Sequence, residues 1–131
     1  HKKILIGIIN KEDYFDAVMC NPPFFKSKKE AEAQTTRKLK GLDKGKNQKL
    51  INNFSGESNE LWCNGGELAF VLNYIKESFL FKTQVGWFTS LISKEDNLKP
   101  LQIELKKSAK EIKVIDMSQG NKKSRILAWR F

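Results

Sequence analysis

The residues with the clearest chemical potential form a tetrapeptide, Asn21-Pro22-Pro23-Phe24, at the end of an apolar run. Asn21 offers its amide oxygen, and the backbone carbonyl of Asn21 or Pro22 offers a second hydrogen-bond acceptor. Pro22 and Pro23 lack N–H groups and have a fixed φ, so the turn is stiff and its carbonyls stay aimed. Phe24 provides a flat apolar surface on which a base can stack.

Two acceptors beside a stacking surface suit methyl transfer to an exocyclic amino group of a base. The alternative is a purely structural role for the same four residues, as a Pro-Pro turn with an Asn cap and a core Phe. The position of the tetrapeptide after an apolar strand favours the catalytic interpretation.

A strand must position this motif. Residues 14–20 are apolar enough to predict a buried strand that ends where the motif begins. A residue before proline is driven to extended geometry, which suits Asn21 at a strand end. Upstream, residues 3–10 carry apolar side chains at helical spacing and predict a short helix, with a strand as the alternative.

The remaining chain predicts a long loop followed by alternating helices and strands. Residues 25–60 are polar and predict a basic, flexible loop. The later elements are predicted as a helix starting at Gly65-Gly66, a strand over 84–92, a helix over 98–108 with Pro100 in its first turn, and strands over 111–117 and 125–131. The first helix is amphipathic, with an apolar face comprising Leu68, Val71, Leu72, Ile75 and Phe79. This order predicts the second half of a doubly wound α/β sheet with a terminal hairpin.

Charge points to an acidic partner. The net charge is +9 and the pI is about 9.6, values that favour nucleic acid. Residues 26–49 hold nine Lys or Arg and three Asp or Glu, so most of the net charge follows the motif directly. The alternative is a solvated lysine-rich loop without a partner. The position of residues 26–49 directly after the motif favours contact with phosphates.

Length and composition narrow the protein class. A chain of 131 residues predicts one domain with enough apolar residues for a core. It has no apolar stretch long enough for a membrane span and no visible signal peptide. Cys20 and Cys63 suggest neither a disulfide framework nor a metal site. The first residue is His1 rather than Met, which suggests a fragment.

Further segments make a family resemblance specific. In chain order they are Cys20–Phe24, Glu30-Ala31, Arg37-Lys38, Asn53–Gly56, Asn59–Glu67, Trp87–Leu91, Gln119–Lys122 and Ser124–Trp129. This series resembles the RlmF family, bacterial methyltransferases of adenine N(6) in large-subunit (23S) ribosomal RNA. Eukaryotic methyltransferases of adenine in spliceosomal snRNA are distant relatives. The bacterial family usually has His after the motif Phe, whereas this chain has Phe25, like the eukaryotic branch.

The resemblance implies the C-terminal half of a class I, Rossmann-like methyltransferase domain with S-adenosylmethionine as the cofactor and ribosomal RNA as the partner. Asn21, Pro22, Pro23 and Phe24 would be catalytic, and Asn21 would also contact the cofactor. Most of the cofactor pocket would lie upstream, because no glycine-rich turn follows a strand here. The residues expected to contact RNA are Phe24, Phe25, Arg37, Lys38 and Lys40.

Other functions stay open at this point. The same chemistry could act on another RNA, on DNA or on a protein glutamine, and a catalytically silent RNA-binding module is a third possibility. The expected location is the cytoplasm.

Overall fold

A computed structural model of the chain describes residues 3–23, 65–120 and 122–131. Its elements are β1 (Phe15–Cys20), α1 (Gly66–Leu80), β2 (Val85–Ile92), a 3-10 turn (Glu95–Asn97), α2 (Leu98–Leu105), β3 (Glu111–Gln119) and β4 (Lys122–Arg130). One structural unit comprises residues 1–22 and 71–131 and contains these four strands. A second unit, residues 23–70, includes the start of α1.

The four strands form one sheet in the order β1-β2-β4-β3. β1 and β2 are parallel, and Cys20 lies opposite Ser90. β4 runs antiparallel to both of its neighbours. This arrangement confirms the predicted half of a doubly wound sheet, in which the last strand is antiparallel. Gly120 in the β3–β4 turn has φ +62°, a left-handed conformation that favours glycine.

The core lies where α1 meets the centre of the sheet. Tyr74, Phe88 and Trp129 are fully buried. The Tyr74 ring meets both other rings edge-on, with its centroid 5.1 Å from that of Trp129 and 6.3 Å from that of Phe88. Trp129 Nε1 donates to Ser78 Oγ at 3.0 Å, and Ser78 Oγ donates to the Ile75 carbonyl at 2.6 Å. The one polar atom of the buried indole is therefore satisfied.

Most sequence-predicted elements are present with shifted ends. The strand before the motif, the helix from Gly65-Gly66 and the strand over 84–92 are confirmed. α2 ends at Leu105 rather than at residue 108, because the N–H of Ser108 closes a tighter turn on the Leu105 carbonyl. The hairpin strands extend further toward each other than predicted, because β3 ends at Gln119 and β4 begins at Lys122.

The predicted helix over 3–10 is wrong. Residues 4–9 form bends and turns, and the N–H groups of Ile4, Leu5 and Ile6 converge on one Oε1 atom of Glu77 at 3.0, 2.7 and 2.9 Å. Glu77 is only 4% exposed and needs donors for its carboxylate. The apolar spacing instead places Leu5 and Ile9 in the core as the segment turns.

Two predictions about burial are also wrong. β1 is mainly exposed, with Met19 at 83%, because β2 is its only hydrogen-bonded neighbour among the described strands. On α1, Phe79 is 44% exposed, whereas Tyr74 and Ser78 are fully buried. Both of these residues have polar partners in the core, which the apolar pattern of the helix does not show. Val71 and Ile75 of the predicted face are buried.

Candidate active site

The predicted motif lies at the carboxyl end of the parallel pair of strands. β1 ends at Cys20, and Asn21, Pro22 and Pro23 follow it directly. The pairing of Cys20 with Ser90 brings the carboxyl end of β2 alongside. Ligands of open α/β sheets bind outside the carboxyl ends of the strands. The described part of the motif therefore occupies the edge of the sheet where a substrate is expected.

The three described motif residues differ in accessibility. Asn21 is exposed, whereas Pro22 is fully buried and Pro23 is also buried. Within the described residues, no hydrogen bond engages the Asn21 side chain, so its amide oxygen is free to accept from a ligand. The buried prolines anchor the turn and hold this exposed amide at the strand end. The acceptor role of Asn21 stays a prediction, and it requires an accessible amide of this kind.

Polar side chains lie immediately behind the motif. The Cys20 thiol is hydrogen-bonded to the side chain of Ser90, and burial raises the pKa of this thiol to about 11. Tyr74 reaches the same region from α1, and burial, reinforced by the nearby Cys20, raises the pKa of its hydroxyl well above the usual value. Both groups are therefore neutral at physiological pH, so neither supplies a base. This suits chemistry that depends on positioning rather than on proton abstraction by a strong base.

Direct hydrogen bonds connect these elements. Tyr74 Oη donates to the Thr89 carbonyl at 3.1 Å, and Thr89 Oγ1 donates to the Val18 carbonyl at 2.8 Å. Thr89 and Ser90 entered the sequence prediction only as part of the Trp87–Leu91 segment of the family resemblance, without a role, and Tyr74 did not enter it. The available signal was the pair of hydroxyl residues Thr89-Ser90 inside an otherwise apolar strand, which lies opposite Met19 and Cys20, the two residues before the motif.

A cavity of about 330 Å³ lies at the junction of β3 and β4. Its lining carries charges of both signs and consists of Glu95, Asp116, Met117, Ser118, Lys123, Ser124 and Arg125. Arg125 is 8% exposed, and its Nη1 donates to the Ser93 carbonyl at 3.3 Å. This interaction ties β4 to the segment that follows β2.

The other predicted site residues lie outside the described part of the chain. They are Phe24, Phe25, Arg37, Lys38 and Lys40, together with the basic segment 26–49 to which the last three belong. Their roles stay predictions. Among the described residues there is no group of three or more His, Cys, Asp or Glu that could hold a metal ion. In this part of the chain, no helix has the length and apolar character required to cross a membrane.

Comparisons with known proteins agree on one family. A family model described as RNA methyltransferase matches residues 1–131. The chain is 54% identical over 132 residues to the ribosomal RNA large subunit methyltransferase F of Bacteroides thetaiotaomicron, covering 100% of this chain and 43% of that protein. It is 52% identical over 128 residues to the protein of the same name from Christiangramia forsetii, covering 98% of this chain and 44% of that protein.

A solved structure supports the fold. The hMettl16 catalytic domain in complex with the MAT2A 3′UTR hairpin 1 is 27% identical, with a TM-score of 0.68. The match covers 93% of this chain and 41% of that domain. The fold is therefore part of a class I methyltransferase fold. The chain spans less than half the length of the curated relatives it matches.

Proposed function

The chain belongs to the RNA methyltransferase family, and on this premise we propose that it forms the base-binding part of an S-adenosylmethionine-dependent enzyme. The proposed reaction methylates the N(6) amino group of a specific adenine in large-subunit ribosomal RNA. The observation that carries the proposal is the exposed amide of Asn21, which makes no side-chain hydrogen bond within the described residues and follows the carboxyl end of β1 beside two buried prolines. The curated relatives are named for methylation of the same ribosomal subunit RNA.

The proposed role of Asn21 follows from the chemistry of adenine. The amine is a poor nucleophile because its lone pair is delocalised into the ring. Asn21 Oδ1 would accept from one N–H, and the backbone carbonyl of Asn21 or Pro22 would accept from the other. These two contacts hold the nitrogen pyramidal and free its lone pair for attack, which is stabilisation by positioned dipoles. After the methyl group is transferred, the nitrogen is positively charged, and one of its two protons would pass to solvent.

The cofactor fits only partly onto the described residues. S-adenosylmethionine would supply an electrophilic methyl group bonded to its sulfonium sulfur, and the sulfur would leave as a neutral thioether. Asn21 would contact the cofactor as well as the amine. No glycine-rich turn after a strand is found in the described ranges 3–23, 65–120 and 122–131, so these residues offer no cradle for the rest of the cofactor.

The RNA contacts belong to the proposal as well. Phe24 would stack on the target base once that base has left the stack of neighbouring bases, and Phe25 would be a second aromatic contact. The basic residues after the motif would bind phosphates without reading sequence; they are Arg37, Lys38 and Lys40. A ribosomal RNA substrate also implies action in the cytoplasm.

The test is methyl transfer by the intact protein carrying Asn21→Ala. We expect the rate on ribosomal RNA to fall roughly 100-fold or more, because a transition-state contact is lost, while RNA affinity stays nearly unchanged. Asn10→Ala is the matched control, because Asn10 is an exposed amide whose known hydrogen bonds involve only its backbone. Near wild-type turnover of the Asn21 variant would contradict the proposal.

A hairpin RNA outside the ribosome is the second candidate substrate. The solved relative is bound to a 3′UTR hairpin, and Phe25 replaces the His usual in the bacterial family. The two candidates are separated by offering the wild-type protein 23S ribosomal RNA and the MAT2A hairpin side by side. Preference for the ribosomal substrate, with methyl mapped to an adenine N(6), supports the first proposal.

A further inference from the structure

β1, the strand that directly precedes Asn21, accepts a side-chain hydrogen bond near its carboxyl end from the neighbouring strand β2. Thr89 Oγ1 donates to the Val18 carbonyl at 2.8 Å. Val18 lies three residues before Asn21. Thr89 is paired in register with Met19, between Val18 and the motif. This bond supplements the backbone ladder where β1 is about to leave the sheet.

Thr89 is itself held from the other side. Its carbonyl accepts from Tyr74 Oη at 3.1 Å. Tyr74 is fully buried and packs edge-on against Phe88 and Trp129, so its hydroxyl has a defined position. The result is a continuous connection from α1 through β2 to β1, and it ends next to the catalytic turn.

We propose that Thr89 is a positioning residue for methyl transfer, with Tyr74 as its support. The inference rests on the proposed function of Asn21. Thr89 would contact neither the substrate nor the cofactor; it sets where β1 ends and therefore where the Asn21 amide lies. Methyl transfer is sensitive to such placement, since a displacement of about 1 Å can cost about 100-fold in rate.

The experiment compares Thr89→Val and Thr89→Ser in the intact protein. Val preserves the shape of the side chain and removes the hydroxyl, whereas Ser keeps the hydroxyl. We expect kcat of the Val variant to fall roughly 10-fold, with KM for RNA and for S-adenosylmethionine within about twofold of wild type. The Ser variant should recover kcat to within about threefold of wild type. Thr83→Val, in an exposed turn, is the matched control and should retain wild-type kcat.

A second variant keeps the test decisive if Thr89→Val folds poorly. Tyr74→Phe removes only the supporting hydroxyl, and it should lower kcat about threefold at unchanged KM. Combined with Thr89→Val, its effect should be less than additive, because both act through one connection.

Several results would overturn the inference. They are wild-type kcat in Thr89→Val, a rise in KM at unchanged kcat, or a Ser variant as impaired as the Val variant. Failure of the proposed function is distinguishable, because in that case the wild-type protein would not methylate RNA or Asn21→Ala would keep near wild-type turnover.

Discussion

Replacing Glu77 by Gln should release the segment before β1 while leaving the sheet folded. The Glu77 carboxylate accepts from Ile4, Leu5 and Ile6, and Ile4 N lies 3.0 Å from each of its two oxygens. Gln keeps the size of the side chain but loses the charge. Its NH₂ group would also face the Ile4 N–H, placing a donor against a donor.

The magnitude follows from the number of donors. A hydrogen bond to a charged acceptor contributes about 1.5–3 kcal/mol and a neutral one about 0.5–1.5, so three donors together lose about 3 kcal/mol. Burying a neutral amide instead of a charge offsets part of this loss. The net loss is about 2 kcal/mol, which is about 30-fold in the opening equilibrium. The loss is confined to the segment, because it can undock into water without unfolding the sheet.

Amide hydrogen exchange is the assay. The amides of Ile4, Leu5 and Ile6 should exchange about 30-fold faster in Glu77→Gln, whereas those of β2 should keep their wild-type rates. Glu12→Gln is the matched control because Glu12 is exposed. Unchanged protection of the three amides would refute the role assigned to the carboxylate. Equal acceleration throughout β2 would refute the local character of the opening.

Three further outcomes are expected. Gly86→Ala should destabilise the protein by about 1–3 kcal/mol in denaturant unfolding, since a Cβ at this position would lie 2.6 Å from the Asp16 carbonyl oxygen; unchanged stability would contradict this close approach. Cys20 should resist alkylation, followed by peptide mass spectrometry, until the pH approaches 11, and rapid alkylation at pH 8 would disprove this. Because the pKa of the thiol is raised from 9.0 to about 11 in the folded protein, its contribution to stability should be complete below pH 9.0 and lost as the pH rises from 9.0 toward 11. Replacing Arg37, Lys38 and Lys40 by Gln should reduce the slope of log affinity for RNA against log salt concentration by about 2 and leave the methylated position unchanged. An unaltered slope would mean that these side chains contact solvent and not RNA.

The sequence alone determined the motif and its place at a strand end. Two consecutive prolines cannot continue a sheet ladder, so the end of β1 at Cys20 is a local consequence of Pro22 and Pro23. The start of α1 and the terminal hairpin could also be predicted from the sequence, because helix periodicity and turn residues are patterns of a few neighbouring positions. These local signals also carried the family resemblance, which the comparisons confirm.

Only the tertiary structure decided what holds the motif in place. Glu77 meets Ile4 across 73 residues, and Thr89 meets Val18 across 71. Nothing in the local pattern of either partner specifies the other, since such pairs arise only when the sheet register and the helix packing are both set. For the same reason, the apolar spacing of residues 3–10 predicted a helix where the chain instead turns to satisfy a buried carboxylate. The motif that contains Asn21 can therefore be recognised from adjacent residues, whereas the position of Asn21 depends on contacts between residues far apart in the chain.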